Sequence, residues 1–238
     1  LILSVPITMN IKEYLSYVKR KEIPPRSPAH LLNHDSWRDH NLFMQGVKAR
    51  IECVNRGMWA IVDLRWTGEL AEWIRKRKVL EIMAGAGWIA KALNHHGVDI
   101  IPTDDFSWSI ARKKKKYKGY EPVFPIEKLD AVGAVEKYRK AEILLISWPP
   151  FNDYTIFKAC GKWGDKKPIV YIGEIGGCNA PIEFFTKFER IEPHPRFSFP
   201  SWNGIYDRLL IGYYKKNRNP RKGEIGNEDQ DDSKDFAS

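Results

Sequence analysis

The sequence predicts an α/β fold built on a mostly parallel sheet, and three observations carry that expectation. At residues 79–90 an apolar stretch runs into a Gly-x-Gly turn and then into a helical pattern. At 143–146 an unbroken Ile-Leu-Leu-Ile run has the composition of a central parallel strand covered on both faces. From there to about residue 216, strand-like and helix-like stretches alternate, as successive βαβ units require.

The N-terminal part is expected to be helical. Residues 10–20 place Ile11, Leu15 and Val18 near one face of an amphipathic helix, and Pro24, Pro25 and Pro28 then impose an extended linker. A second helix is expected over 41–60, with Leu42, Val47, Ile51 and Val54 apolar and Gly57 ending or bending it. A third is expected over 68–77, where a basic end complements the helix dipole. These helices are placed to cap a ligand site or shape a cleft.

The strands follow in order. After the glycine turn a helix spans 89–95 and closes at Gly97. Strands are expected at 98–102, 123–126, 143–146 and 168–172, and the last two at 188–192 and 208–214. The polar, charged segment 217–238 is expected to be disordered. The organisation read from this is a helical extension at 1–58, a main domain at 59–216 and an acidic tail at 217–238.

In the turn Val79-Leu80-Glu81-Ile82-Met83-Ala84-Gly85-Ala86-Gly87, two residues without side chains let the backbone bend and let a ligand lie against it. Taken alone, the turn also fits the G-x-G-x-x-A form of a dinucleotide site, or a tight turn with no ligand. The order Glu81-x-x-x-Gly85-x-Gly87 resembles the glycine-rich signature of the class I, Rossmann-like S-adenosylmethionine-dependent methyltransferases. That resemblance implies a three-layer sandwich whose seven-stranded, mostly parallel sheet ends in an antiparallel hairpin. It also implies S-adenosylmethionine as cofactor, with the loop under its methionine part.

Two further motifs extend the likeness over about residues 59–216. An acid about 20 residues past the glycines suits ribose recognition. Asp104 fits best, with Asp105 next, and Phe106 is expected against the adenine face; the plain alternative is that both acids cap the next helix. Asp130 and Ala131 match the pair that touches the adenine amino group in the family, although a helix N-cap looks the same. Ser147-Trp148-Pro149-Pro150-Phe151-Asn152-Asp153 resembles the polar residue, Pro-Pro and aromatic loop of methyltransferases acting on amino groups. There the polar residue accepts a hydrogen bond from the target amine and the ring stacks on a flat substrate.

This chain departs from that pattern, because Trp148 stands at the polar position and an indole donates but does not accept. The acceptor role passes to backbone carbonyls, Asn152 or Asp153. The catalytic candidates are therefore Trp148, Pro149, Phe151, Asn152 and Asp153, with Glu174 added because it follows the strand 168–172 in a glycine-rich stretch.

Composition bounds the partners. Net charge is +9, yet residues 223–238 carry six acids against one lysine, so the remainder is more basic still. A basic body, including Lys113 to Lys116, suits nucleic acid or another polyanion; a lysine-rich soluble surface is the alternative. Cys53, Cys160 and Cys178 have no metal-site or disulfide spacing, His30, His34 and His40 form no metal pattern, and a reducing, cytoplasmic setting is expected. No apolar run is long enough to span a membrane. The expected activity is methyl transfer from S-adenosylmethionine to a nucleophile, an amine on a nucleic acid or nucleotide-like molecule being first choice. A small-molecule methyltransferase, a catalytically weak binding subunit and an NAD-dependent oxidoreductase stay open, and the oligomeric state is not legible.

Overall fold

The structure is a computed structural model that describes residues 9–28, 39–108, 121–151 and 153–215. Asn152, Lys113 to Lys116, His30, His34 and the acidic tail lie outside the described residues.

The N-terminal helices form where capping groups are available. Helix α1 (Ile11–Lys19) starts on Asn10, whose side chain accepts from the Glu13 amide, and it buries Tyr14 and Val18. Helix α2 (His40–Val54) starts on Asp39. It stops short of the expected residue 60 because the chain turns at Gly57 in a left-handed conformation, φ 77°.

Helix α3 (Leu64–Ile74) begins four residues before the expected start. The signal for that start was Asp63, an N-cap accepting from the amides of Arg65 (2.9 Å) and Trp66 (3.1 Å). The Ser27 hydroxyl also donates to its carboxylate, and the residue is buried. Asp63→Ala leaves these donors without an acceptor, and urea unfolding is expected to show a loss of about 1–2 kcal/mol.

The strands are β1 (Val79–Ile82), β2 (Ile100–Asp104), β3 (Glu127–Lys128), β4 (Ile143–Ser147), β5 (Ile169–Gly173), β6 (Phe188–Arg190) and β7 (Arg208–Tyr214). The helices between them are α4 (Trp88–His95), α5 (Ala131–Lys137), α6 (Thr155–Trp163) and α7 (Ile182–Lys187). The sheet order is β3-β2-β1-β4-β5-β7-β6. Pairing is parallel from β3 through β5, whereas β7 runs antiparallel to both β5 and β6. This is the seven-stranded sheet with a C-terminal antiparallel pair that the resemblance implied.

Alternate strand residues feed two cores, which makes the sandwich three-layered. Val79, Ile143, Leu145, Val170 and Ile172 pack with α1 to α4. Leu80, Ile82, Leu144, Ile146 and Ile169 pack with α5, α6 and Phe184.

Strand β6 ends at Arg190, short of the expected 192, and β2 and β3 differ from expectation for physical reasons. Strand β2 starts at Ile100, because Gly97 closes α4 with φ 77° and residues 98–99 are spent returning to the sheet. The third strand is 127–128 and not 123–126. Pro122 and Pro125 remove ladder donors there, and the Val123 amide donates instead to the carbonyl of Ala86 at 2.9 Å. No helix among the described residues is long and apolar enough to cross a membrane.

Candidate active site

In an open parallel sheet, ligands gather at the C-terminal strand ends where the strand order reverses. Here the reversal lies between β1 and β4, and a cavity of about 380 Å³ opens there. Its walls come from the turn after β1, the end of β2, the start of α5, the loop after β4 and the segment joining α2 to α3.

One wall is acidic. Asp104 ends β2, and its Oδ2 accepts from the Gly85 amide at 2.8 Å. Oδ1 accepts from the Phe106 amide at 2.7 Å and the Trp108 indole at 3.0 Å. Two motifs that stand 19 residues apart in sequence are thus one hydrogen-bonded unit. Burial pushes the Asp104 carboxyl above its ordinary range, and these donors partly offset it. Gly85 lines the cavity with φ 59°. Gly87, φ 80°, does not line it; a Cβ there would meet Ile126 at 3.1 Å and Phe124 at 3.2 Å, so its role is close packing beneath the turn.

Asp105 lines the cavity and accepts from the Ser107 amide at 2.8 Å. Phe106 does not line it. Its backbone takes φ 59° and its ring packs edge-on against Trp108, which supplies the wall instead. Asp130 and Ala131 both line the cavity, and Asp130 is also the N-cap of α5, accepting from the Val132 and Gly133 amides at 3.0 Å. Asp130 is thus at once a helix cap and part of the cavity wall.

Glu81 is the unusual member. It sits inside β1, is 1% exposed, and lines the cavity, and its Oε2 has no hydrogen-bond partner. Burial, with a smaller contribution from the Asp104 charge, pushes its carboxyl up to about 8.

The opposite wall is aromatic. After β4 the chain turns at Trp148, φ 47°. The Trp148 amide donates to the Ile172 carbonyl at 2.8 Å, which fixes the loop to β5. Its indole donates to Asp207 Oδ2 at 3.2 Å, a carboxylate that burial pushes up to about 6 despite donors from Ser201 and Trp148. The ring stacks on Trp59 with centroids 5.9 Å apart, and the Arg50 guanidinium lies 5.7 Å from its centre.

Pro149 is buried in the wall, and its carbonyl accepts from the Asn179 amide group at 3.4 Å. Phe151 stands at the mouth, 61% exposed. Asp153 lines the cavity, with Oδ1 accepting from the Thr155 amide at 2.8 Å. Glu174 does not line it. It accepts from the Cys178 thiol at 2.7 Å and the Tyr206 amide at 3.0 Å. Partial burial opposes ionisation, but those donors outweigh it and hold the carboxyl below its ordinary range. Glu174 thus ties the β5 loop to the segment before β7, and Cys178 and Asn179 occupy the wall.

The sequence did not single out Arg50, Met58, Trp59, Trp88, Trp108 or Asn179 for the pocket. The segment carrying Met58 and Trp59 is held by aromatic donors from α1, α3, α4 and the loop before β7. Tyr14 donates to the Val62 carbonyl (3.0 Å), Trp66 to Ile61 (3.0 Å), Trp88 to Arg56 (2.8 Å) and Trp202 to Trp59 (3.0 Å). An aromatic ring buries apolar area while its N–H or O–H satisfies a backbone acceptor, so each contact serves packing and polarity at once. Among the described residues, no group of three or more His, Cys, Asp or Glu is placed to hold a metal ion.

No protein-family model and no curated protein matches the chain. Among solved structures it is similar to a mutant of MtNAS in complex with S-adenosylmethionine, at 11% identity and TM-score 0.47, over 87% of this chain and 92% of that one. It is similar to a TehB-like SAM-dependent methyltransferase from Corynebacterium glutamicum, at 14% and 0.41, over 73% and 98% of the two chains. An rRNA methylase from Streptococcus thermophilus is similar at 10% and 0.36, over 63% and 95%. Similarities at this level assign no activity to the chain.

Proposed function

We propose that the cavity binds S-adenosylmethionine and that the protein transfers its methyl group to a nucleophile held beside Pro149 and Phe151. The observation that carries this reading is the acidic wall. A buried carboxylate with an unpartnered oxygen, Glu81, stands next to the bare backbone of Gly85 and the carboxylates of Asp104, Asp105 and Asp130. S-adenosylmethionine presents an ammonium, a sulfonium, two ribose hydroxyls and an adenine amino group, all of which suit acceptors. This set of acceptors therefore fits the group. Glu81 and Gly85 would hold the methionine end, Asp104 and Asp105 the ribose, and Asp130, Ala131 and Trp108 the adenine.

When bound, the cofactor supplies an already electrophilic methyl. The task left to this chain is to orient the acceptor and exclude water, which supplies much of the rate. Pro149 and Pro150 stiffen the loop, and the hydrogen bond from the Trp148 amide to the Ile172 carbonyl anchors it. Phe151 offers a flat face at the mouth for a planar acceptor such as a nucleotide base, and the basic net charge supports a nucleic-acid or nucleotide-like partner.

Calorimetry with S-adenosylmethionine, S-adenosylhomocysteine and NAD tests the cofactor: the first two are expected to bind, and binding of NAD alone would move the protein to the oxidoreductases. Tritiated methyl transfer to RNA, DNA and small-molecule fractions tests the activity. Cofactor binding with no transfer to any fraction would leave a binding subunit.

The Trp148 loop gives a graded expectation. Trp148→Phe keeps the ring but removes a donor from buried Asp207, so stability is expected to fall by about 1.5–3 kcal/mol with turnover largely kept. Trp148→Ala also removes the stack on Trp59 and the surface beneath Arg50. Turnover is expected to fall about a hundredfold while S-adenosylhomocysteine affinity changes little. Equal turnover in Trp148→Ala and the parent would make the loop structural only.

A further inference from the structure

Resting on the methyl-transfer reading, we propose that Arg50 is the substrate's anchor: the methyl acceptor carries an oxyanion, a carboxylate or a phosphate, that its guanidinium binds in the aromatic half of the cavity.

Arg50 is the one cation among the described residues that line the cavity. It lies one helical turn before the end of α2 and reaches over the Trp148 ring, 5.7 Å from its centre. Its Nε is buried without a hydrogen-bond partner. Among the described residues no carboxylate lies within ion-pairing distance of it. Its charge acts on Glu174 and Cys178, but Glu174 is engaged with the Cys178 thiol and the Tyr206 amide instead. A buried guanidinium donor without an acceptor is costly to keep. The Trp148 ring face attracts the cation above it, and a planar guanidinium fork matches a carboxylate or phosphate.

The neighbouring groups point the same way. The polar acceptor that an amine would need has been replaced by Trp148, whose indole is already committed to Asp207. The Pro149 carbonyl is engaged by Asn179. This half of the cavity therefore offers a strong donor beside one carboxylate, Asp153, whose Oδ1 accepts from the Thr155 amide, whereas Glu81, Asp104, Asp105 and Asp130 stand on the opposite wall. The polarity suits a cationic cofactor on one side and an anionic acceptor on the other. Recognition through charge at this point also separates the substrate from a neutral base presented by its amino edge alone.

The test uses protein saturated with S-adenosylhomocysteine, titrated by calorimetry and tryptophan fluorescence. The probes are planar carboxylates, each beside its own primary amide, starting with benzoate and benzamide, and phenyl phosphate beside phenol. Charged probes are expected to bind about ten- to a hundredfold more tightly than their neutral partners, the scale of a charge-assisted hydrogen bond. The carboxylate and phosphate series, compared with each other, tell which oxyanion is preferred. Arg50→Gln is expected to abolish the preference and Arg50→Lys to keep part of it, with melting temperature and S-adenosylhomocysteine affinity close to the parent in both. Equal binding of charged and neutral probes, no binding of the charged ones, or a preference that survives Arg50→Gln would overturn the assignment. Should S-adenosylhomocysteine fail to bind the parent, the methyl-transfer reading fails, and the same titration of the protein alone still decides whether Arg50 receives an anion.

Discussion

Gly85→Val is expected to fold and to lose S-adenosylhomocysteine affinity by about a hundredfold or more, close to 2.7 kcal/mol. The residue lines the cavity at the turn after β1 with φ 59°, so a β-branched side chain would stand where the ligand meets backbone. Forcing a side chain into the left-handed region adds about 1–2 kcal/mol of strain, which lowers the melting temperature whether or not a ligand binds. Gly97→Ala separates the two effects. Gly97 has φ 77°, its added Cβ would meet nothing within 4 Å, and it lies outside the cavity. That variant is expected to show a similar loss of stability with affinity unchanged. The amide of residue 85 still faces Asp104 in Gly85→Val, so the hydrogen bond at 2.8 Å survives and the β1–β2 unit stays assembled. A calorimetric dissociation constant equal to the parent's would remove the cofactor from this turn.

The features that were legible in the sequence are those set by local chemistry. The apolar run at 143–146 admits little besides a strand covered on both faces, and β4 lies at the centre of the sheet with Ile143 to Ile146 fully buried. The Gly-x-Gly turn and Asp104 announced the end of β1 and the end of β2, and the structure joins them by a direct hydrogen bond. Strand ends were less legible where proline intervened. At 123–126 the apolar residues suggested a strand, but Pro122 and Pro125 deny the ladder its donors, and the pairing moves to Glu127 and Lys128.

The opposite wall was hidden for a different reason. Arg50 and Trp59 lie on a helix and a connection whose local patterns look ordinary, and they reach the cavity only because Tyr14, Trp66, Trp88 and Trp202 fix the segment from distant points in the chain. Pairings at sequence separations such as Trp202 with Trp59 leave no periodic signature. Glu174 shows the converse. Its glycine-rich surroundings suggested a residue exposed to the cleft, yet those glycines let the loop fold back so that Cys178 and Tyr206 saturate the carboxylate. Asn179, which bridges the Glu174 amide and the Pro149 carbonyl, lines the cavity in its stead.

Glu81→Gln is expected to flatten the pH dependence of stability. With its carboxyl pushed up to about 8, Glu81 is protonated in the native protein at neutral pH, whereas in the unfolded chain it ionises at its ordinary value of 4.5. Between those two values the native state binds more protons than the unfolded state, so stability falls as pH rises, by about 1.4 kcal/mol per unit from this one group. Below pH 4.5 both states are protonated, and above about pH 8 both are ionised, so the slope vanishes on either side. A glutamine carries no such titration. Urea unfolding of parent and variant across pH 5 to 9 is therefore expected to diverge steadily and then run parallel. Any constant offset from burying an amide leaves that divergence untouched.

The ligand reverses the preference. A cation bound beside the unpartnered Oε2 favours the ionised carboxylate, so binding to the parent is expected to release a proton and to tighten as pH rises towards 8. Calorimetry in two buffers of different ionisation enthalpy reads that proton directly. Glu81→Gln is expected to bind more weakly and to release less. Identical stability slopes in the two proteins, or an unchanged proton count, would show that Glu81 is a buried structural group and not the receptor for the cofactor's charge.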